Sequence, residues 1–388
     1  MSETEARPSL DVARQYGVKK IEIHLDNSKG VYMRRVSGRV DIQLSSPVNA
    51  KGIRVTCKGE AKVQFSDRSM GIRTQYSKDE QFVNLTPYIY GTGHDQIEVT
   101  SGHYDFSLEL PDRIPCSFEG LYGRVRYTLQ ATLQLLDNGC AVCSDVKPFT
   151  LASVYDLNSE PKAAEPIEED HSKTFVGQKE PLKMSLHLPV RGFVPGQTVP
   201  LLINFKNESN VRMSKIRIVM KKVVTYRAHE RSRTHKEIIV EIELPVSDRE
   251  EQIKEFFDIP AIPPSRMEYC SIIDLRYSLK VESCVDLTEW YYRMLQKNLK
   301  IRAEIFVGTV PLKDYEQAIP YEDESPMGSR KPSSADLRGQ NFEASHIYKS
   351  SKPGRDDPAA SNALPDDFNC APYNPMYRVY RFEKSSDR

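Results

Sequence analysis

Residue types that could do chemistry occur along this chain, but their spacing assembles no reaction centre. Cys140 and Cys143 stand as CAVC directly after Asn138-Gly139. A structural zinc ion takes four ligands, and no second pair follows. The seven cysteines are otherwise irregularly spaced, so they read as free thiols of a reducing compartment, and the CxxC reads as a hairpin end. The eight histidines are His24, His94, His103, His171, His187, His229, His235 and His346, and no two fall at i, i+4. His94 and His103 are close enough in sequence to meet across a hairpin, but two imidazoles do not complete a metal site. No GxSxG elbow, HExxH, Walker loop or GxGxxG occurs. Gly91-Thr92-Gly93-His94 is Gly-rich, but without a following helix it cradles no phosphate. The expectation is a non-enzyme with no catalytic residue, metal or cofactor.

Three groupings point to binding instead. Lys19, Lys20, Arg34, Arg35 and Arg39, followed by Arg54, Lys58 and Lys62, include several outward-phase positions. Such cations suit phosphorylated or acidic protein tails, or anionic lipid. A solvated sheet face accounts for them as well. A second cluster comprises Lys215, Arg217, Lys221, Lys222, Arg227, Arg231, Arg233 and Lys236. The third grouping is DDFNCAPYNPMYRVYRF, from Asp366 to Phe382. Its Pro372, Tyr373, Asn374, Pro375, Tyr377, Tyr380 and Phe382 form a candidate recruitment motif. Extended aromatic segments of this kind add to sheet edges and fill pockets with alternate side chains. Asn374-Pro375-Met376-Tyr377 fits NPxY, a pattern read by β-turn-binding modules of endocytic adaptors. The alternative is that this segment docks on the chain's own domains. Ser325, before Pro326, and Ser333, in RKPSS, are candidate phosphorylation sites.

The elements that must position these groups are strands. Lys plus Arg and Asp plus Glu are 54 each, which leaves no basic footprint for nucleic acid. The first twenty residues lack a signal-peptide pattern, and nowhere do ~18 apolar residues run together. A cytoplasmic protein is expected. From Ile53 to Phe65 the odd positions are apolar or small and the even ones polar; Val125–Leu135 alternates likewise. Period 2 marks strands with one face in water. Many such strands, divided by turns and without alternating helices, predict an all-β chain of two consecutive immunoglobulin-like β-sandwiches. The boundaries are drawn at 18–157 for the first domain, 158–178 for a polar acidic linker, 179–312 for the second domain and 313–388 for a tail. The tail is rich in Ser, Pro and charge, so it is expected to be disordered. Asp286–Asn298 is the best helix candidate.

Seven segments in order resemble the α-arrestins, the arrestin domain-containing proteins. They begin IEIHLDNSKG at Ile21, IRVTCKGEAKVQF at Ile53, PCSFEGLYGRVRYTLQATL at Pro115, GFVPGQTVPLLINFKNES at Gly192, MSKIRIVMKK at Met213, IPPSRMEYCSIIDLRYSLKV at Ile262 and IRAEIFVGTVPL at Ile301. The resemblance covers about residues 18–312 and implies an arrestin N-domain followed by a C-domain. It implies a cytosolic adaptor that binds membrane receptors or transporters, associates peripherally with plasma membrane and endosomes, and recruits HECT-type ubiquitin ligases or endocytic adaptors. The PPxY motif through which the family recruits ligases is missing here; Asn374 stands where its first proline would be. Two other readings share the fold, a signalling scaffold sensing phosphorylated receptor tails and a retromer-type coat subunit.

Overall fold

The computed structural model describes residues 15–69, 72–136, 140–286, 298–315, 341–350 and 373–382. The first half holds β1 (Val18–Leu25), β2 (Val31–Tyr32), β3 (Arg35–Leu44), β4 (Val48–Ser69), β5 (Ile72–Leu85), β6 (Tyr88–Gly91), β7 (Ile97–Val99), β8 (Gly102–Glu109), β9 (Phe118–Glu119), β10 (Gly123–Leu135), β11 (Ala141–Cys143) and β12 (Lys147–Leu151). The second holds β13 (Ile167–Lys173), β14 (Leu182–Leu188), β15 (Gly192–Phe193), β16 (Thr198–Asn207), β17 (Met213–Ala228), β18 (Arg231–Pro245), β19 (Glu250–Asp258), β20 (Ile273–Val285) and β21 (Leu299–Val307). Beyond them lie β22 (Asn341–Ala344), β23 (Lys349–Ser350) and β24 (Met376–Val379).

Two sheets make each sandwich. In the first, β1-β3-β8 faces a sheet whose path is β2-β12-β10-β4-β5. In the second, β13-β14-β16-β19 faces β15-β21-β20-β17-β18-β23. The predicted alternation holds on β4, where Ile53, Val55, Cys57, Ala61 and Val63 are buried. Gly38 lets β3 approach β1 closely: a Cβ there would meet the His24 carbonyl oxygen at 2.2 Å.

The polar face of β10 departs from expectation, because it is buried too. Arg124, Arg126, Thr128 and Thr132 are all under a tenth exposed. The second sandwich meets the opposite, odd-phase face at the start of β10: a Cβ on Gly123 would touch Tyr226 of β17 at 2.9 Å. Arg126 meets its need for a counter-charge through Glu119.

One locking device occurs in both sandwiches. In the first, Ser117 N donates to Leu151 O at 2.9 Å, Leu151 N donates to Ser117 Oγ at 2.9 Å, and the buried Tyr127 hydroxyl donates to Pro115 O at 2.6 Å. In the second, Ser265 N donates to Val307 O at 2.7 Å, Val307 N to Ser265 Oγ at 2.8 Å, and Tyr277 to Pro263 O at 2.6 Å. The carriers are Ile114-Pro115-Cys116-Ser117 and Ile262-Pro263-Pro264-Ser265. Proline donates no hydrogen bond, so each corner leaves the ladder and uses its serine to re-enter it.

Two segments carry more structure than their composition suggests. Residues 158–178, read as a linker, hold 3-10 turns at Leu157–Ser159 and Pro161–Ala164 and then β13, which pairs with β14 from Ile167↔Leu188 to Lys173↔Leu182. β13 reads as linker because it is an edge strand: Ile167 is buried and most of the acidic remainder faces water. Charge on an edge also guards against pairing with another chain. Within the stretch read as a disordered tail, β22 pairs with β24 and β23 adds to β18. Phe342, Tyr377 and Tyr380 supply the buried area that the polar average hides. The candidate helix at 286–298 lies, apart from its two end residues, outside the described residues.

Candidate functional site

Buried aromatic and ion-paired side chains of both sandwiches converge at the seam between them. Tyr122 packs edge-on against Tyr226 and His235. Arg233 of β18 lies 4.9 Å from the Tyr122 ring centre and donates to Ser66 O at 2.8 Å. Ser271 N donates to Glu80 Oε2 at 2.9 Å. Arg266 pairs with the buried Glu160 at 2.7 Å. Lys222 is buried, pairs with buried Glu237 at 2.8 Å, and lies 5.9 Å from the rings of both Phe118 and Tyr348.

The aromatic C-terminal segment runs along this seam and touches both sandwiches. On the first, the Tyr373 hydroxyl lies 2.6 Å from Thr150 Oγ1, Met376 N donates to the same oxygen at 3.3 Å, and the Tyr377 hydroxyl donates to Ser117 O at 3.3 Å. On the second, Tyr380 N donates to Pro195 O at 2.9 Å and its hydroxyl to Thr309 O at 2.6 Å. The strand thus lies between the two Ile-Pro-x-Ser corners: Cys116, Leu151, Ile262 and Pro264 line the same small space as Met376 and Tyr377. Gly196 makes the approach possible. Its φ of +89° suits the Pro195-Gly196 turn, and any Cβ there would sit 1.9 Å from the Tyr380 carbonyl oxygen. Burial pushes the Tyr373 hydroxyl up to about 12 and the Tyr377 hydroxyl well above its ordinary value. Both phenols therefore stay neutral and able to donate. Lys29 ties β22 to the first sandwich through Phe342 O at 3.2 Å.

The candidate motif is therefore sequestered. Pro375, Tyr377 and Tyr380 are buried, Tyr373 and Phe382 are half-buried, and Asn374 is exposed with its amide donating to Ser345 O at 2.8 Å. Docking on the chain's own domains is the arrangement found. Pro372, Ser325 and Ser333 lie outside the described residues.

The basic residues of the first domain do not assemble into one patch. Lys20 stands opposite Gln43, whereas Arg35 stands opposite Glu109 at the other end of β3. At ~3.3 Å per residue the two ends are about 26 Å apart. Each also has an acidic partner: Lys20 with Glu22 at 2.6 Å, Arg34 with Asp112 at 2.6 Å, Arg35 with Glu109 at 2.5 Å and Arg39 with Asp41 at 3.3 Å. Lys19 is exposed on β1. Several members of the second cluster are paired too, Lys215 with Glu243 at 2.6 Å, Arg217 with Glu241 and Lys222 with Glu237 at 2.8 Å. His103 turns to Asp41 at 2.6 Å, which also faces His24 at 3.3 Å. Among the described residues no group of three or more His, Cys, Asp or Glu is placed to hold a metal. Cys143 sits on the β10–β11 hairpin, as its spacing suggested.

Ser117, Thr150, Pro195 and Thr309, the residues that receive the strand, are not singled out by residue type. The repeated Ile-Pro-x-Ser corner is a signal for Ser117 alone among the four.

Comparison with known proteins places this geometry. Residues 21–158 match the family model "Arrestin (or S-antigen), N-terminal domain", and residues 178–312 match "Arrestin (or S-antigen), C-terminal domain". The chain belongs to the arrestin family. It is 26% identical over 317 residues to arrestin domain-containing protein 17 of Caenorhabditis elegans, covering 75% of this chain and 71% of that protein. It is also 26% identical over 275 residues to arrestin domain-containing protein 1 of Rattus norvegicus and over 277 residues to its Homo sapiens counterpart. In both cases 68% of this chain and 61% of the relative are covered. Membership of the arrestin family supports an adaptor role. Among the described residues no helix is long and apolar enough to cross a membrane.

Proposed function

We propose that this arrestin-family chain is a non-catalytic cytosolic adaptor. It binds cytosolic segments of membrane receptors or transporters and recruits ubiquitin-ligase or endocytic machinery, so that the cargo is internalised or sorted. The observation that carries this reading is the seam, where two arrestin sandwiches are fastened together and hold a motif-bearing strand across both. Such a body presents sheet faces to cargo and keeps a recruiting segment tethered close by, which raises its effective concentration for a second contact. The chain works in the cytoplasm and at the plasma membrane and endosomes through its cargo.

The recruiting part of the reading is tested with the motif intact but expelled. In Gly196→Ala the added methyl collides with the Tyr380 carbonyl. Full-length wild type and Gly196→Ala are compared for capture of purified HECT-ligase WW domains and of purified NPxY-reading domains. Gain of capture in the variant is expected for one of the two. No capture of either by the expelled tail sinks the recruiting role.

A further inference from the structure

The larger sheet of the second sandwich carries a row of charge that stops at the sheet's edge. Lys300 of β21 stands directly opposite Glu282 of β20, Glu282 opposite Arg217 of β17, and Arg217 opposite Glu243 of β18. The sign alternates at every step. Lys300 reaches Glu282 at 3.0 Å, and Arg217 reaches Glu243 at 3.7 Å. Glu241 takes the guanidinium of the same Arg217, and Lys215 adds a 2.6 Å contact to Glu243. The row therefore ends in two exposed carboxylates, Glu241 and Glu243, on the outermost long strand. Opposite charges directly across a sheet are favourable and like charges are not. The position beyond these carboxylates calls for cations at the same alternate spacing.

The edge itself is open at that point. β23 adds to β18 at Glu237 and Ile238, and Ile239, the extra residue of a bulge, follows that pairing. Among the described residues no strand pairs with the outer side of residues 239–245. Alternate backbone N–H and C=O groups there point away from β17. On the inner face of the same stretch, Val240, Ile242 and Leu244 pack on the core and are left half-buried. The edge thus offers a backbone ladder with an apolar rim on one face and two carboxylates on the other. A second copy of the same strand suits it poorly. Antiparallel pairing centred on Ile242 would set Glu241 against Glu243, and pairing centred on either glutamate would set it against itself.

We propose that residues 239–245 form a docking edge for an extended segment of a partner protein in which Lys or Arg alternates with apolar residues. The segment adds a strand to the sheet, with main-chain hydrogen bonds holding it and alternate side chains selecting it. Its cations continue the charge row over Glu241 and Glu243, and its apolar residues cover Val240, Ile242 and Leu244. β23 is the precedent within the chain, a short strand already added to the same edge. The inference goes beyond the adaptor reading and stands without it, because the edge and its charge select the segment whatever protein supplies it.

The test uses the full chain and a fluorescent peptide alternating lysine with valine, followed by anisotropy. Wild type is expected to bind it and to slow amide exchange in residues 239–245. A peptide of the same composition with lysines and valines in separate blocks should bind at least ~10-fold more weakly, because one face of a strand then carries both types. Full-length Glu241→Lys with Glu243→Lys should lose the lysine peptide by at least ~10-fold and gain a peptide alternating glutamate with valine, a swap that only a folded edge can make. Glu241→Gln with Glu243→Gln should fall between. Methylating the peptide's backbone nitrogens on one edge should abolish binding, and methylating those on the other edge should not. The proposal is overturned if the charge-reversed chain binds the lysine peptide as wild type does, or if the block peptide binds equally well. It is equally overturned if both methylated peptides bind, or if wild type binds no peptide because the amides of residues 239–245 are already slow in the free chain. Self-association of wild type that the charge reversal abolishes would assign the edge to a second copy and also overturn it.

Discussion

The seam strand and the basic rim were the two strongest binding candidates in the sequence, and the fold treats them in opposite ways. Tyr373, Tyr377 and Tyr380 lie within eight residues and stay together, each reaching an oxygen on one of the sandwiches. Lys19, Lys20, Arg34, Arg35 and Arg39 lie within about twenty residues and are drawn apart along β1 and β3. The difference is geometric. Neighbours on one strand remain neighbours, whereas residues on consecutive antiparallel strands meet only if the register brings them opposite. The two also differ in what their contacts contribute. Arg34, Asp112, Arg35 and Glu109 are all more than 60% exposed at the side chain, where ion pairs contribute ~0–1 kcal/mol. Lys222 and Glu237 are buried at the seam, where losing one partner strands a charge.

The comparison breaks most visibly at that buried pair. Lys222→Ala should lower the unfolding free energy by about 3–5 kcal/mol, read by urea denaturation, while Lys222→Met with Glu237→Gln should recover most of the loss. A small effect from Lys222→Ala alone would mean that the seam is wetter than described. Tyr377→Ala comes next. Removing a buried aromatic side chain costs about 3–5 kcal/mol, here drawn from docking of the strand rather than from the sandwiches. Residues 373–382 should become protease-sensitive while the main thermal transition stays near its wild-type position.

Glu282 of β20 provides an intermediate case. Burial would raise its carboxyl, but hydrogen bonds from Lys280, Asn298 and Lys300 outweigh it and bring the value down to about 2 from 4.5. A folded-state value below the unfolded one adds stability that is present above pH ~4.5 and lost as pH falls towards 2, by roughly 3 kcal/mol in all. Glu282→Gln should flatten the stability profile across that window. An unchanged acid slope would show that those lysines do not hold the carboxylate. The smallest effect belongs to the rim. Arg34→Ala with Arg35→Ala should shift stability by no more than ~0.5 kcal/mol and leave seam docking untouched. If charge reversal at Lys19, Lys20, Arg34 and Arg35 abolished binding to a phosphorylated receptor tail, the rim would regain the role that its dispersal argues against.

Much of the fold was legible because a sheet face writes itself into sequence at period 2. Ile53 to Phe65 shows it, and so does the odd phase of Val125–Leu135. The even phase of that strand departs from its pattern for a physical reason: Arg126 is held by Glu119, and Tyr373 of the tail, far away in sequence, lies close enough to feel both charges. β13 was hidden because an edge strand needs only Ile167 inside, and its acidic remainder has the composition of a linker. The site was half legible. The aromatic spacing was plain, but the receiving groove is made of backbone carbonyls and small hydroxyls, which leave no mark in a list of residue types. Only the repeated Ile-Pro-x-Ser corner hints at it.

Backbone hydrogen exchange of the free full-length chain tests the central claim most directly. With the strand docked across both sandwiches, the Met376 and Tyr380 amides are protected by Thr150 and Pro195, and Tyr377→Ala removes protection from residues 373–382 and their pairing partner β22 while leaving the sandwich strands unchanged. Exchange of those amides at the rate of an unstructured peptide in wild type would contradict the account.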